Sequence, residues 1–183
     1  MGESRMTLAE LTDLLRERAA YLHERNLVLV ALPLATAHRD ARQLARDLHA
    51  EYLDFDCEFL AQIEADDWED HVALERRGTL SIGQMLARDW LAEVAGRVNR
   101  ERPLVIGNVN LAVRYEIDVA KASYDATEHG LCIIAAGGRL LGQTLLIHGI
   151  QAQTGAGSPV YQVVSPSDDA HSQTPRTIQE RLL

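Results

Sequence analysis

A chain of 183 residues has room for one domain with a real core, and 46% hydrophobic against 25% charged residues is the balance of a globular protein. No stretch approaches the roughly 18 uninterrupted apolar residues of a membrane span, and the first residues, MGESRMTLAE, lack the apolar core of a secretory signal, so a cytoplasmic protein is expected. The net charge of −9 argues against broad nucleic-acid binding, which runs on cationic neutralisation of phosphates, and Cys57 and Cys132 supply neither a disulfide framework nor metal-ligand spacing.

Thr7-Leu8-Ala9-Glu10 is a capping box, with Thr7 as N-cap and Glu10 reaching back. It predicts a helix running to about Arg25, with Leu8, Leu11, Leu15 and Leu22 on one side. Residues 1–25 are therefore read as an N-terminal helix packed on the domain. Leu27 to Leu32 is continuously apolar, as in a strand covered on both faces, and Pro33 ends it. Ala41, Leu44, Ala45 and Leu48 then form the i, i+3, i+4, i+7 stripe of a helix from Arg39. Glu51 to Phe55 reads as a short strand. Phe59, Leu60 and Ile63 suggest a helix, followed by an acidic run around Trp68.

Ser81-Ile82-Gly83-Gln84 has the capping-box pattern and predicts a helix with Ile82, Leu86, Trp90, Val94 and Val98 on one face. Pro103 opens the strand PLVIGNV, and a helix is expected around Glu116 to Ala126. LCIIAA, from Leu131, is another buried strand. Gly137-Gly138 reads as a hairpin turn, Gln143 to Gly149 and Pro159 to Val164 as strands, and residues 166–183 as a polar, mobile tail. Apolar strands alternating with helices predict a mainly parallel sheet with helices on both faces. Ligands of such sheets bind at the carboxyl ends of the strands.

The segment NLVLVALPLATAHRDARQLARDL, from Asn26, has the layout of a nucleotide-binding unit: strand, loop, helix. The phosphate-binding pattern there is G-x-x-x-x-G-K-S/T. Glycines let successive N–H groups turn inward around the anion, lysine adds charge, and the hydroxyl residue ligates magnesium. This loop is LPLATAHR. Between Gly2 and Gly78 the chain has no glycine, and its basic residues are 17 arginines and the single Lys121. On the strand-loop-helix frame, His38 falls near the lysine and Arg39 near the hydroxyl residue. The strand that would end in an acidic pair ends in Gly107 and Asn108 instead. Two separate parts of the chemistry are missing together.

The order of that segment, of PLVIGNVNLAVRYEIDVAK and of GLCIIAAGGRLLGQTLLIHG resembles small P-loop ATPases of bacterial phage-defence operons, the nearest being the F subunit of type 3 BREX (bacteriophage exclusion) systems. The resemblance covers roughly residues 26–165. It implies a three-layer, P-loop-NTPase-like (AAA/ASCE-like) α/β fold over that span. It also implies a role among the protein subunits of a defence complex, or with further copies of the chain. The family's loop carries Gly-Lys-Thr and its strand an acidic pair, so the departures fall on the catalytic residues. The expected protein is a non-catalytic scaffold or regulatory subunit with no cofactor, no catalytic residue and no bound metal.

Two alternatives stay open. In one, Thr36, His38, Arg39 and Arg139 line a reshaped anion pocket in a nucleotide or small-molecule sensor. In the other, Asp54, Asp56 and Glu58, beyond the second strand, hold a metal for hydrolysis. Trp68, a large aromatic among acids, is either a local core anchor or a partner-binding residue. His38-Arg39-Asp40 also spells part of a kinase catalytic loop, but position 45 is Ala and the Gly-rich loop is missing. Gly137-Gly138-Arg139 and the glycines at 155 and 157 lack the following helix that a phosphate site requires.

Overall fold

The computed structural model describes residues 4–20, 26–65, 73, 76–78, 80–98, 102–124, 127, 130–141, 144–147, 150–152 and 158–164. Trp68, the glycines at 155 and 157, and the tail from 166 onwards lie outside the described residues.

Nine strands and six helices follow in chain order among those residues. They are β1 (Ser4–Met6), α1 (Leu8–Ala20), β2 (Asn26–Leu32), α2 (Ala37–Asp47), β3 (Glu51–Asp54), α3 (Phe55–Ala65), α4 (Leu80–Ala95), β4 (Leu104–Gly107), α5 (Asn110–Arg114), α6 (Val119–Tyr124), β5 (Leu131–Gly137), β6 (Arg139–Leu141), β7 (Thr144–Ile147), β8 (Ile150–Ala152) and β9 (Val160–Val163). Six strands form one sheet in the order β1-β9-β2-β5-β4-β3. Every pairing in it is parallel. A separate antiparallel sheet, β6-β7-β8, follows β5.

The continuous apolar runs are explained by burial on both sides. All seven residues of β2 are buried, and they alternate between two cores. Leu27, Leu29 and Ala31 join Cys132, Ile134 and Ala136 of β5 against α3, α4, α5 and α6. Val28, Val30 and Leu32 join Leu131, Ile133 and Ala135 against α1 and α2. Each fully buried Leu or Ile contributes about 1.5–3 kcal/mol relative to leaving it exposed. Helices thus flank a six-stranded parallel sheet on both faces.

The capping box forms as expected. Thr7 N–H donates to Glu10 Oε2 at 2.8 Å, and Glu10 N–H to Thr7 Oγ1 at 3.3 Å. Helix α1 ends its described span at Ala20, and residues 21–25 lie outside the described residues. On α2 the buried residues include Ala41, Leu44 and Ala45, the expected stripe.

Five sequence expectations are corrected. Phe55 does not extend β3 but opens α3, because Asp54 Oδ1 accepts the Cys57 N–H at 3.1 Å and turns the chain into a helix. Ser81 is not an N-cap, since α4 already begins at Leu80. The helix expected around Glu116 to Ala126 begins only at Val119, because Glu116 sits at φ 56°, and Asn110–Arg114 before it forms a separate short helix. Gly137-Gly138 is not a hairpin turn. Gly138 N–H donates to Leu32 O at 2.9 Å, and a side chain at 138 would collide with the Leu146 carbonyl, so glycine there permits close backbone approach. Finally, Ser4–Met6, read with residues 1–25 as an N-terminal helix, forms a strand that pairs with Tyr161–Val163 at the sheet edge.

Candidate functional site

The carboxyl ends of β2, β5, β4 and β3 open onto one crevice. It holds a cavity of about 200 Å³ lined by Leu34, Ala37 and His38 from the loop and α2, Asn108 and Asn110 after β4, and Ala135 and Gly137 of β5. Sequence order brings these segments together because each follows or ends a core strand.

The loop after β2 is a tight turn, with Thr36 N–H donating to Pro33 O at 3.0 Å. The left-handed residues other than glycine, among those described, are His49, Asn108 and Glu116. None lies between Pro33 and His38, so the backbone does not wrap as an anion nest. The start of α2 has an internal carboxylate instead. Asp40, 8% exposed, accepts a hydrogen bond from the Thr36 hydroxyl and another from Arg39 Nε at 3.0 Å. Arg39 otherwise lies in solvent.

On the other side of the crevice, amides and carboxylates close a network. Asn108 Nδ2 donates to Asp54 Oδ1 at 3.0 Å. Asp56 Oδ2 accepts the Asn110 N–H at 3.2 Å and Asn110 Nδ2 at 3.0 Å, while its Oδ1 accepts the Leu111 N–H at 2.9 Å. Asn110 Nδ2 also donates to Asn108 Oδ1. Asp56 therefore caps the first turn of α5, and its backbone N–H donates to Asn108 O at 3.1 Å. Asn108 reaches this position in the left-handed region, φ 56°, which asparagine tolerates better than most residues. Burial raises the Asp56 carboxyl above its ordinary range, opposed by the hydrogen bonds from Leu111 and Asn110.

His38 bridges the two sides. Its Nδ1 lies 3.6 Å from Asp54 Oδ2 and 3.5 Å from the Tyr52 hydroxyl. Tyr52 lies under the Arg42 guanidinium, 5.3 Å from ring centroid to Cζ. Burial, and then the neighbouring Asp54, push the Tyr52 phenol up. Its hydroxyl also covers Gly107, where a Cβ would stand 2.6 Å away. An acidic side chain at 107 would displace Tyr52. The exposed Cys57 thiol is raised by its hydrogen bond to Asp54, which disfavours the thiolate needed of a nucleophile.

Of the four anion-pocket candidates, His38 lines the cavity. Thr36 and Arg39 are turned to Asp40, and Arg139 lies exposed on β6. The three proposed metal acids diverge. Asp54 and Asp56 cap helices, and Glu58 points to Arg97 at 3.7 Å. Among the described residues no group of three or more His, Cys, Asp or Glu side chains could hold a metal. Sequence reasoning missed Tyr52, Asp40 as internal anion and Asp56 as a long-range cap. Only the last had a signal, an aspartate and two asparagines each following a core strand.

No helix among the described residues is long and apolar enough to cross a membrane. In comparisons with known proteins, no family model, no curated protein and no solved structure matches this chain.

Proposed function

We propose that this chain is a non-catalytic P-loop-fold protein, a scaffold or regulatory subunit of a bacterial anti-phage defence complex. One observation carries the non-catalytic half. The crevice where nucleotide phosphates and magnesium would sit is filled by the protein's own groups: Asp40 at the start of α2, and the Asp54–Asn108–Asn110–Asp56 network beyond it. The remaining cavity, about 200 Å³, is below the roughly 300–1,000 Å³ of ordinary ligand pockets. The P-loop ancestry is supported by the topology. β5 stands between the loop strand β2 and β4, the additional strand from which the ASCE class takes its name. The defence setting and its protein partners rest on the resemblance of the three quoted segments.

A scaffold retains the sheet because the core and its outer helices still present a surface. The test is a pull-down with the products of neighbouring genes. Trp68→Ala should weaken capture more than Arg39→Ala, because interface energy concentrates in a few aromatic and arginine side chains at about 2 kcal/mol or more each. The reverse order, with both variants folded, returns function to the crevice. So does a clear rise in melting temperature with Mg·ATP, since a ligand at a hundred times its dissociation constant stabilises by about 2.7 kcal/mol.

A further inference from the structure

Away from the crevice the chain folds a second, larger hollow. The first half of α4 and the chain from Tyr115 into α6 border a cleft of about 610 Å³, within the range of small-molecule sites. Two of its lining residues, Tyr115 and Ile117, are buried and give it an apolar floor, and Met85 stands at its mouth, 48% exposed.

Local structure holds that floor in place. A Cβ at Gly83 would stand 2.6 Å from the Tyr115 ring, so α4 reaches the ring only because glycine is there. Between Tyr115 and Ile117, Glu116 sits at φ 56°, a conformation that L side chains rarely adopt. Strained residues of this kind concentrate where a ligand is held.

The charges around the floor are of both signs and do not neutralise one another. Lys121, the only lysine of the chain, and Glu116 are both exposed, and neither side chain makes an ion pair among the described residues. Arg88 leans away onto Asp89 at 3.0 Å. Asp118 directs one oxygen to the Lys121 N–H at 2.9 Å, which leaves the other available. A cleft with one unpaired cation, Lys121, and carboxylates of Glu116 and Asp118 beside an apolar floor offers a receptor for each end of a dipolar molecule.

We propose that this cleft binds a small zwitterion with an apolar body, of the amino-acid or short-peptide class. The ligand carboxylate faces Lys121, its ammonium faces Glu116 and Asp118, and its side chain lies on Tyr115, Ile117 and Met85. This site is built from α4, the loop Tyr115–Asp118 and α6, and does not depend on the state of the crevice.

The test is titration of the full chain, with the Met85 methyl resonance assigned through Met85→Leu, using three probes. Free leucine has both charges, N-acetylleucine only the carboxylate, and leucine methyl ester only the amine. Free leucine should shift Met85 saturably, and each blocked form should bind at least about tenfold more weakly, as for loss of a charge-assisted hydrogen bond. Lys121→Met should abolish discrimination against the ester, and Glu116→Gln discrimination against the acetylated form. Both side chains are exposed, so both variants should melt with the parent. No shift with free leucine, equal binding of all three probes, or discrimination that survives both substitutions would overturn the proposal.

Discussion

Replacing Asp56 by alanine separates a structural carboxylate from one kept for binding. The side chain is 8% exposed and receives three hydrogen bonds, from Asn110 N at 3.2 Å, Asn110 Nδ2 at 3.0 Å and Leu111 N at 2.9 Å. Alanine leaves those donors without their acceptor at the start of α5. Loss of a helix cap alone is about 1 kcal/mol, and a hydrogen bond to a charged group contributes about 1.5–3 kcal/mol. The three bonds share two oxygens and are not additive, and burial already disfavours the ionised form, so the lower part of the range applies. The expected loss is about 2–3 kcal/mol, a fall in melting temperature of roughly 4–12 °C for a domain of this size. Thermal unfolding with a urea series measures both. Asp56→Asn should lose less, because its amide oxygen still accepts one bond. A fall of less than about 1 kcal/mol would refute the capping argument. A rise in stability would refute it more sharply, because carboxylates retained for binding or catalysis commonly destabilise the fold that holds them.

The same residue predicts a pH dependence. Its folded pKa lies above the ordinary 3.8, so the folded state binds that proton more tightly than the unfolded one. Its contribution is complete below 3.8 and lost as pH rises through the folded value, and Asp56→Asn should remove that fall when urea unfolding is compared from about pH 3 to about pH 6. Gly138→Ala should destabilise by about 1–3 kcal/mol, since the new methyl meets the Leu146 backbone carbonyl rather than a movable side chain; an unchanged melting temperature would contradict the close approach of β5 to β7. Grafting a GPPGSGKT-type loop over residues 32–39 should yield no phosphate release from ATP, because Gly107 and Asn108 still supply no carboxylate for magnesium. Magnesium-dependent turnover above the parent's would contradict this.

Much of the sheet is legible in the sequence because its signals are local. LVLVAL and LCIIAA are uninterrupted apolar runs, as a strand covered on both faces requires, and all six residues of each are buried. The stripe Ala41, Leu44, Ala45 and Leu48 is equally explicit. The site was less legible because its contacts are long-range. Asp56 and Leu111 are 55 positions apart, and the aspartate and asparagines that follow the two core strands do not by themselves say which donor meets which acceptor. Tyr52 covers Gly107 only because β3 and β4 run in register, Asp54 opposite Gly107. Glu116 carried no turn signal at all, since glutamate is a poor guide to a left-handed residue. Ser4–Met6 was invisible for another reason. Three residues are too few for a period, and only β9 beside them makes them a strand.

On the P-loop reading proposed above, the charge balance of the crevice argues that hydrolysis cannot be gained one residue at a time. Asp54 already ends β3 and Asp56 stands in the first turn of α3, and Asp54 counts among the causes that raise the Asp56 carboxyl. The two carboxylates are held there by donors: the amides of Asn108 and Asn110 and the N–H groups of α3 and α5. In a metal-dependent enzyme a divalent ion would supply that compensation, and carboxylates after β4 would be welcome. Here an aspartate at 108 would exchange a donor 3.0 Å from Asp54 for a third negative charge. It would be stable only if a cation arrived with it, and a cation bound here without phosphates would lack the lysine and hydroxyl of a working loop. Loop, strand end and metal depend on one another, whereas the cores beneath them depend on none of the three. On the P-loop reading proposed above, no single substitution at this site is expected to give hydrolysis.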